Sequence, residues 1–307
     1  MRLFRALVWT VAAVCVPIGA TKVHAQNRGV YPLGMSAINS GVTPASGFSY
    51  SNQLLYYSRD EAKDNHGNTL PVAGSNYVLM DMNSFIWVST NKILGARYSA
   101  VATLPFAKND LTSDINGNIG GGAGFADSYY MPFILGWSQE RMAIRLIYGF
   151  LAPTGRFAVG SNSNVGSAYW THALSSGQTF YPTKGKGLAL SAFEMYEFHT
   201  TQEGTGVHPG DTFDLDYSAL ASLLNKRTFG LQIGPVGYEA RQTTARTGPP
   251  VSVAESKDRY AINALGLAVN TTFPRRQASM NLKAFKEFAD RSTFQGYSLQ
   301  LSGAITF

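Results

Sequence analysis

Asp81, Asn83, Arg97, Arg145, Glu194, Asp214, Asp216 and Lys283 are the residues of this chain best placed to do chemistry, because each falls in a segment that alternates apolar and polar side chains. Side chains of a strand point alternately to its two faces, so such residues gather on one face of a sheet. Their signs are mixed. A set like this either pairs into a network filling a narrow interior, where a low dielectric demands partners, or lines a constriction that selects solutes. Catalysis finds less support. Of the 5 histidines, His24 falls in the N-terminal signal stretch and His66 and His208 in polar loops. No Gly-x-Ser-x-Gly motif brackets a serine near His172 or His199, which read as rim or girdle residues. There is no cluster of metal ligands and no nucleotide motif, and Gly120 to Gly124 reads as a flexible external loop rather than a phosphate cradle. No cofactor is expected.

The segments carrying these residues read as strands of one barrel. Residues 141–152 put Met142, Ile144, Leu146, Tyr148 and Phe150 on one face and Ala143, Arg145 and Gly149 on the other. Residues 210–223 put Phe213, Leu215, Tyr217 and Leu223 outside, with Asp214, Asp216, Ser218 and Ser222 inside; residues 94–107 turn Tyr98, Ala102, Leu104 and Phe106 outward and Arg97 inward. An Arg or Lys on the lipid face near the midplane costs about 2–4 kcal/mol, so the charges are expected in the lumen. The same expectation puts Asp81 and Asn83 there, beside Phe85 and Trp87, and also Lys283 and Glu194, although the strand around Glu194 is ambiguous. Lys286 shares a face with Met280, Leu282 and Phe288, which implies a bulge, a snorkelling side chain or another register. Most of the 16 Tyr and 18 Phe belong to lipid-facing girdles. Phe85, Trp87, Tyr129, Tyr130 and Trp170 are candidates to line a path for apolar or aromatic solutes.

The whole pattern is that of an all-β, transmembrane, antiparallel up-and-down barrel of about 12 strands, most near the length a tilted strand needs to cross an outer membrane. The strands are expected at 47–58, 77–90, 94–107, 125–137, 141–152, 168–182, 187–200, 210–223, 227–243, 259–273, 277–288 and 293–307. Short links, such as Asn91 to Ile93 and Pro274 to Arg276, alternate with long polar ones at 59–76, 108–124, 153–167, 201–209 and 244–258. Outer-membrane barrels show this alternation, with short turns on the periplasmic side. Only the short link near Asp290, after the strand 277–288, breaks it.

Both chain ends agree. Arg2 and Arg5 precede an apolar stretch from Ala6 to Ile18, which reads as a signal peptide, 1–25, cleaved after Ala25. It is too short to span as a helix, and no later segment is longer. Cys15, the one cysteine, falls inside it, so disulfides and cysteine chemistry are excluded. Residues 26–46 have no periodic pattern and read as a periplasmic or lumen-lying leader; 47–307 are the barrel. The final Gly296 to Phe307 alternates strictly, with Tyr297, Leu299, Leu301, Ile305 and Phe307 on an apolar face and Ser298, Gln300, Ser302 and Thr306 on a polar one. A chain ending on Phe307 suits recognition by the barrel-assembly machinery of a Gram-negative outer membrane. Losing Arg2, Arg5 and Lys22 leaves 22 basic against 19 acidic residues, a net charge of +3, which is no basis for nucleic-acid binding. Charged residues are 14% of the sequence, against roughly 25% in soluble domains. Mean hydropathy is −0.07, as expected when a lipid-facing and a polar face cancel.

Tyr31-Pro-Leu-Gly34, Gly41-Val-Thr-Pro44, Tyr56-Tyr57, Leu151-Ala-Pro-Thr-Gly155, Asn225 to Gly230, Gly237 to Gln242 and the closing strand occur in an order that resembles the bacterial outer-membrane transporter family associated with the meta-cleavage pathway of phenol degradation. The family's Gln followed shortly by Asp is here Gln242-Thr-Thr-Ala-Arg246, without the Asp. The resemblance implies a channel for small hydrophobic or aromatic solutes, bathed by lipid bilayer and lipopolysaccharide. A structural barrel without transport and an outer-membrane enzyme remain the alternatives.

Overall fold

The computed structural model describes residues 29–71, 74–113 and 117–307, so the expected signal peptide lies outside the described residues. One antiparallel sheet contains 13 strands: β1 Gly47–Ala62, β2 Gly74–Ile93, β3 Ala96–Ser113, β4 Gly117–Phe125, β5 Ser128–Ser138, β6 Met142–Ala152, β7 Thr171–Phe180, β8 Leu188–His199, β9 Thr212–Asn225, β10 Gly230–Gln242, β11 Ala261–Phe273, β12 Ala278–Glu287 and β13 Phe294–Thr306. β3 pairs with β5 from Arg97↔Gly136 to Thr103↔Tyr129, and further along with β4 from Phe106↔Phe125 to Ser113↔Gly117. β4 and β5 are therefore one stave interrupted at Ala126 and Asp127, and the barrel has 12 staves. Pro105 on β3 explains the interruption. It has no N–H to give, so the Ala126 carbonyl accepts instead from the Thr154 hydroxyl at 3.2 Å, while the Ala126 N–H still reaches the Pro105 carbonyl at 2.9 Å.

The sheet closes on itself. β13 pairs with β12 and also with β1, from Ser49↔Thr306 to Ala62↔Phe294, and β1 and β3 both flank β2. Among the described residues only β4 has an edge without a strand partner, and closure pairs the others on both sides. Gly296 permits the seam, because a Cβ there would collide with the Ser58 carbonyl. Gly296→Val should therefore prevent closure and abolish the heat-modifiable folded band on a gel; a folded band at wild-type yield would refute this.

The expected strands are present within a few residues, the segment 277–288 among them as β12. Residues 108–113 and 117–124 differ: they extend the sheet as the arms of β3 and β4 rather than forming the expected loop. The glycines admit a neighbour at contact distance. The Gly121 N–H donates to the Asn162 carbonyl at 2.6 Å, and a side chain on Gly122 would strike the Ser163 carbonyl. Short connections, Gly47 and Phe307 all lie at one rim, the periplasmic one by the general rule.

Inside the barrel runs the chain's own segment 29–46. The Gly29 N–H donates to the Tyr260 hydroxyl at 2.7 Å near the far rim, and the Ser46 hydroxyl donates to the Ser89 carbonyl at 3.0 Å near the periplasmic one. Tyr31, Leu33 and Ala37 pack with Ile134, Phe193, Met195, Tyr238, Ile262 and Phe285 into an apolar core at mid-height. The lumen is thus packed, not an open aqueous bore.

Candidate functional site

Asp216 on β9 and Lys283 on β12 grip the leader at one turn. The Asp216 carboxylate accepts from the Tyr31 hydroxyl at 2.5 Å, the Gly34 N–H at 2.8 Å and the Ser36 N–H at 3.0 Å. The Lys283 ammonium donates to the carbonyls of Gly34 at 2.6 Å and Met35 at 2.9 Å. Opposite wall charges thus meet through a peptide rather than directly. Gly34 is obligatory here: its φ is +82°, and a Cβ would lie 2.7 Å from the Phe285 ring. Further along, Arg145 on β6 donates to the Ser40 carbonyl at 2.7 Å, and the Ser218 hydroxyl to the Ala37 carbonyl at 2.6 Å. Arg97 faces the lumen across Gly136 from Arg145, since Gly136 pairs with both. Asp214 is buried on the lumen side, with one carboxylate oxygen lacking a hydrogen-bond partner among the described residues.

Asp81, Asn83 and Glu194 are not in the lumen, contrary to expectation. Met82 packs inward against Leu55 and Tyr57, which fixes its neighbours Asp81 and Asn83 on the outer face. There the Asn52 amide donates to Asp81 at 2.5 Å and to Asn83 at 3.3 Å, and the Tyr50 hydroxyl donates to Asn83 at 2.5 Å. Glu194 points outward because Phe193 and Met195 are core residues; it accepts from the Ser176 hydroxyl at 2.8 Å and the Gln178 amide at 2.9 Å. Local hydrogen bonds reduce the desolvation cost that the inward expectation assumed to be unrelieved. The double variant Glu194→Leu, Gln178→Leu should accordingly raise stability against urea by on the order of 1 kcal/mol, and a loss of stability would refute a lipid-facing position. Lys286 also faces outward, in unbroken register with Leu265 and Tyr297. Among the candidate path-lining aromatics, Phe85, Trp87 and Trp170 are exposed outside and Tyr130 packs with outward Phe150; Tyr129 alone reaches the interior.

Above the leader, on the side of the long loops, lies a cavity of about 510 Å³. Its walls include Met35, Met80, Met82 and Met195, with Tyr129, Phe157 and Tyr169 and a few polar groups, Asp127 and Glu197 among them. The Tyr129 hydroxyl is buried without a hydrogen-bond partner among the described residues. Burial pushes the Tyr169 hydroxyl well above its ordinary pKa, so it meets the cavity as a neutral donor. Segment 153–170 roofs the cavity, and Asp127, in the break between β4 and β5, ties both its ends: it accepts from the Gly155 N–H at 2.8 Å and the Ser167 N–H at 2.7 Å.

Sequence reasoning missed the cavity and the clamp, because both depend on a leader without periodicity. Of the two places expected for His199, rim or girdle, the structure shows the rim: it ends β8 on the long-loop side and is buried there, its Nδ1 2.8 Å from the Thr171 hydroxyl and its Nε2 3.7 Å from Glu197. This is no nucleophilic triad: Thr171 is fully buried, and 3.7 Å exceeds hydrogen-bond length. His172 lies outside, stacked on Tyr148, as a girdle residue does.

Closed antiparallel staves, an apolar outer belt and short turns gathered at one rim define an outer-membrane β-barrel. A family model described as "Putative MetA-pathway of phenol degradation" matches residues 59–302, and the chain belongs to that family. The COG4313 outer membrane channel from Pseudomonas putida F1 shares its fold, with a TM-score of 0.69 at 12% identity, over 88% of this chain and 98% of that one. The β domain of the Bordetella autotransporter BrkA is more distant, at 0.54 and 10% identity over 86% and 100% of the two chains. No curated protein matches the sequence.

Proposed function

We propose that the protein is an outer-membrane channel that admits small hydrophobic or aromatic solutes through the cavity at its long-loop mouth, and that the leader must shift for a solute to pass. The cavity carries this reading. Its volume is that of a small-molecule site, and its walls are thioethers and aromatic rings with few polar groups. Lumen-facing Arg97 and Arg145 would then set the ion preference once the path opens. Membership of a family described by phenol degradation agrees with such solutes. In this reading the signal peptide is removed after Ala25, Phe307 engages the assembly machinery, and the barrel sits among phospholipid and lipopolysaccharide.

Liposome uptake of small aromatic solutes, set beside planar-bilayer conductance, tests the proposal. Uptake that falls when the cavity is filled by Met82→Trp is expected. The packed lumen favours a second reading, a structural barrel without transport. A folded protein that neither conducts nor takes up any solute would establish that reading instead.

A further inference from the structure

The outer face carries a groove at the periplasmic end of the closing seam. Gly303 forms its floor. On β13 it stands where an outward side chain belongs, between Leu301 and Ile305, and a Cβ there would meet nothing nearer than the Ser279 carbonyl at 4.0 Å. Met280 on β12, Phe273 on β11 and Tyr50 and Asn52 on β1 complete the walls of a space of about 540 Å³. Arg276, in the turn between β11 and β12, closes the lower end. Arg275 and Arg276 are exposed, and neither has a carboxylate partner among the described residues.

We propose that this groove holds one glycerophospholipid of the inner leaflet, its phosphate on the Arg276 guanidinium and an acyl chain over Gly303. A guanidinium matches a phosphate through paired N–H donors and is weakly hydrated, so it suits a headgroup at the membrane boundary. Arg276 sits in the turn just below the start of β12 at Ala278, and Met280 stands two residues up that strand, about 7 Å at the rise of an extended chain. A lipid with its phosphate at the turn therefore meets apolar walls as it enters the hydrocarbon. Lipopolysaccharide fits poorly, because its phosphates lie at the opposite rim. Free phosphate has nothing to place in the groove.

Native mass spectrometry of the full-length barrel, extracted in mild detergent and then offered phosphatidylglycerol, phosphatidylethanolamine or lipopolysaccharide, tests this. The wild type should hold one phospholipid. Gly303→Leu puts a side chain into the groove, whose floor has room for its Cβ, and should lower that occupancy about tenfold; Arg276→Ala should lower it several-fold. Lys226→Ala, in a different periplasmic turn, should leave it unchanged. No adduct on the wild type, equal occupancy in Gly303→Leu, or preferential retention of lipopolysaccharide would each overturn the proposal.

Discussion

The double variant Asp216→Ala, Lys283→Met should conduct several-fold more than the wild type in planar bilayers while remaining a folded, heat-modifiable barrel. Three donors of the leader end on Asp216 and two of its carbonyls on Lys283. Hydrogen bonds to charged groups contribute about 1.5–3 kcal/mol each, so losing five of them removes the main grip on the turn at Gly34. The staves do not depend on that grip, because their ladders are complete around the barrel. Stability separates this from general damage. Either single substitution leaves one buried charge without the opposite charge across the leader, and an uncompensated buried charge is strongly destabilising. The double variant removes both charges and should lose less than the sum of the singles. A folded double variant as closed as the wild type would show that the leader is held by its apolar contacts and that the clamp does not gate.

The strands were legible because each needs only a period of two and a turn at its end, both local properties. The inward positions of Arg97, Arg145, Asp214, Asp216 and Lys283 followed from parity together with the cost of a charge in lipid. That cost misled for Asp81, Asn83 and Glu194. On β2 both faces are largely apolar, Tyr77, Leu79, Phe85 and Trp87 against Val78, Met80, Met82 and Ile86, so a rule about charges decided what parity left open. The deciding information was non-local: Asn52 on β1 for Asp81, and Ser176 and Gln178 on β7 for Glu194. The clamp was illegible for a related reason. Wall residues hold the leader by its backbone, and backbone groups leave no mark of their partner in a sequence. Only Gly34, strained in any other residue, carries a local trace of it.

Asp127→Ala should open the roof of the cavity and weaken solute discrimination without unfolding the barrel. Asp127 occupies a place where the stave is already interrupted, so its loss breaks no ladder. It does break both ties to segment 153–170, at Gly155 and Ser167. Two charge-assisted bonds at about 1.5–3 kcal/mol each, at about 1.4 kcal/mol per factor of ten, raise the open population of the roof roughly a hundredfold or more. The bonds left at the neck are weaker ones to uncharged acceptors, from the Val165 and Gly166 N–H groups to the Arg156 carbonyl at 3.0 Å and from the Gln202 amide to the Ser167 carbonyl at 2.8 Å. Limited proteolysis near Arg156 should therefore quicken by a similar factor. Uptake of solutes too large for a cavity of about 510 Å³ should rise, while small solutes change little. Asp127→Asn keeps an acceptor for one N–H and should fall between. Protection from protease equal to the wild type would place the hold on the roof in the contacts of Gly121 and Gly122 with Asn162 and Ser163 instead, and Asp127 would then bear only on the join between β4 and β5.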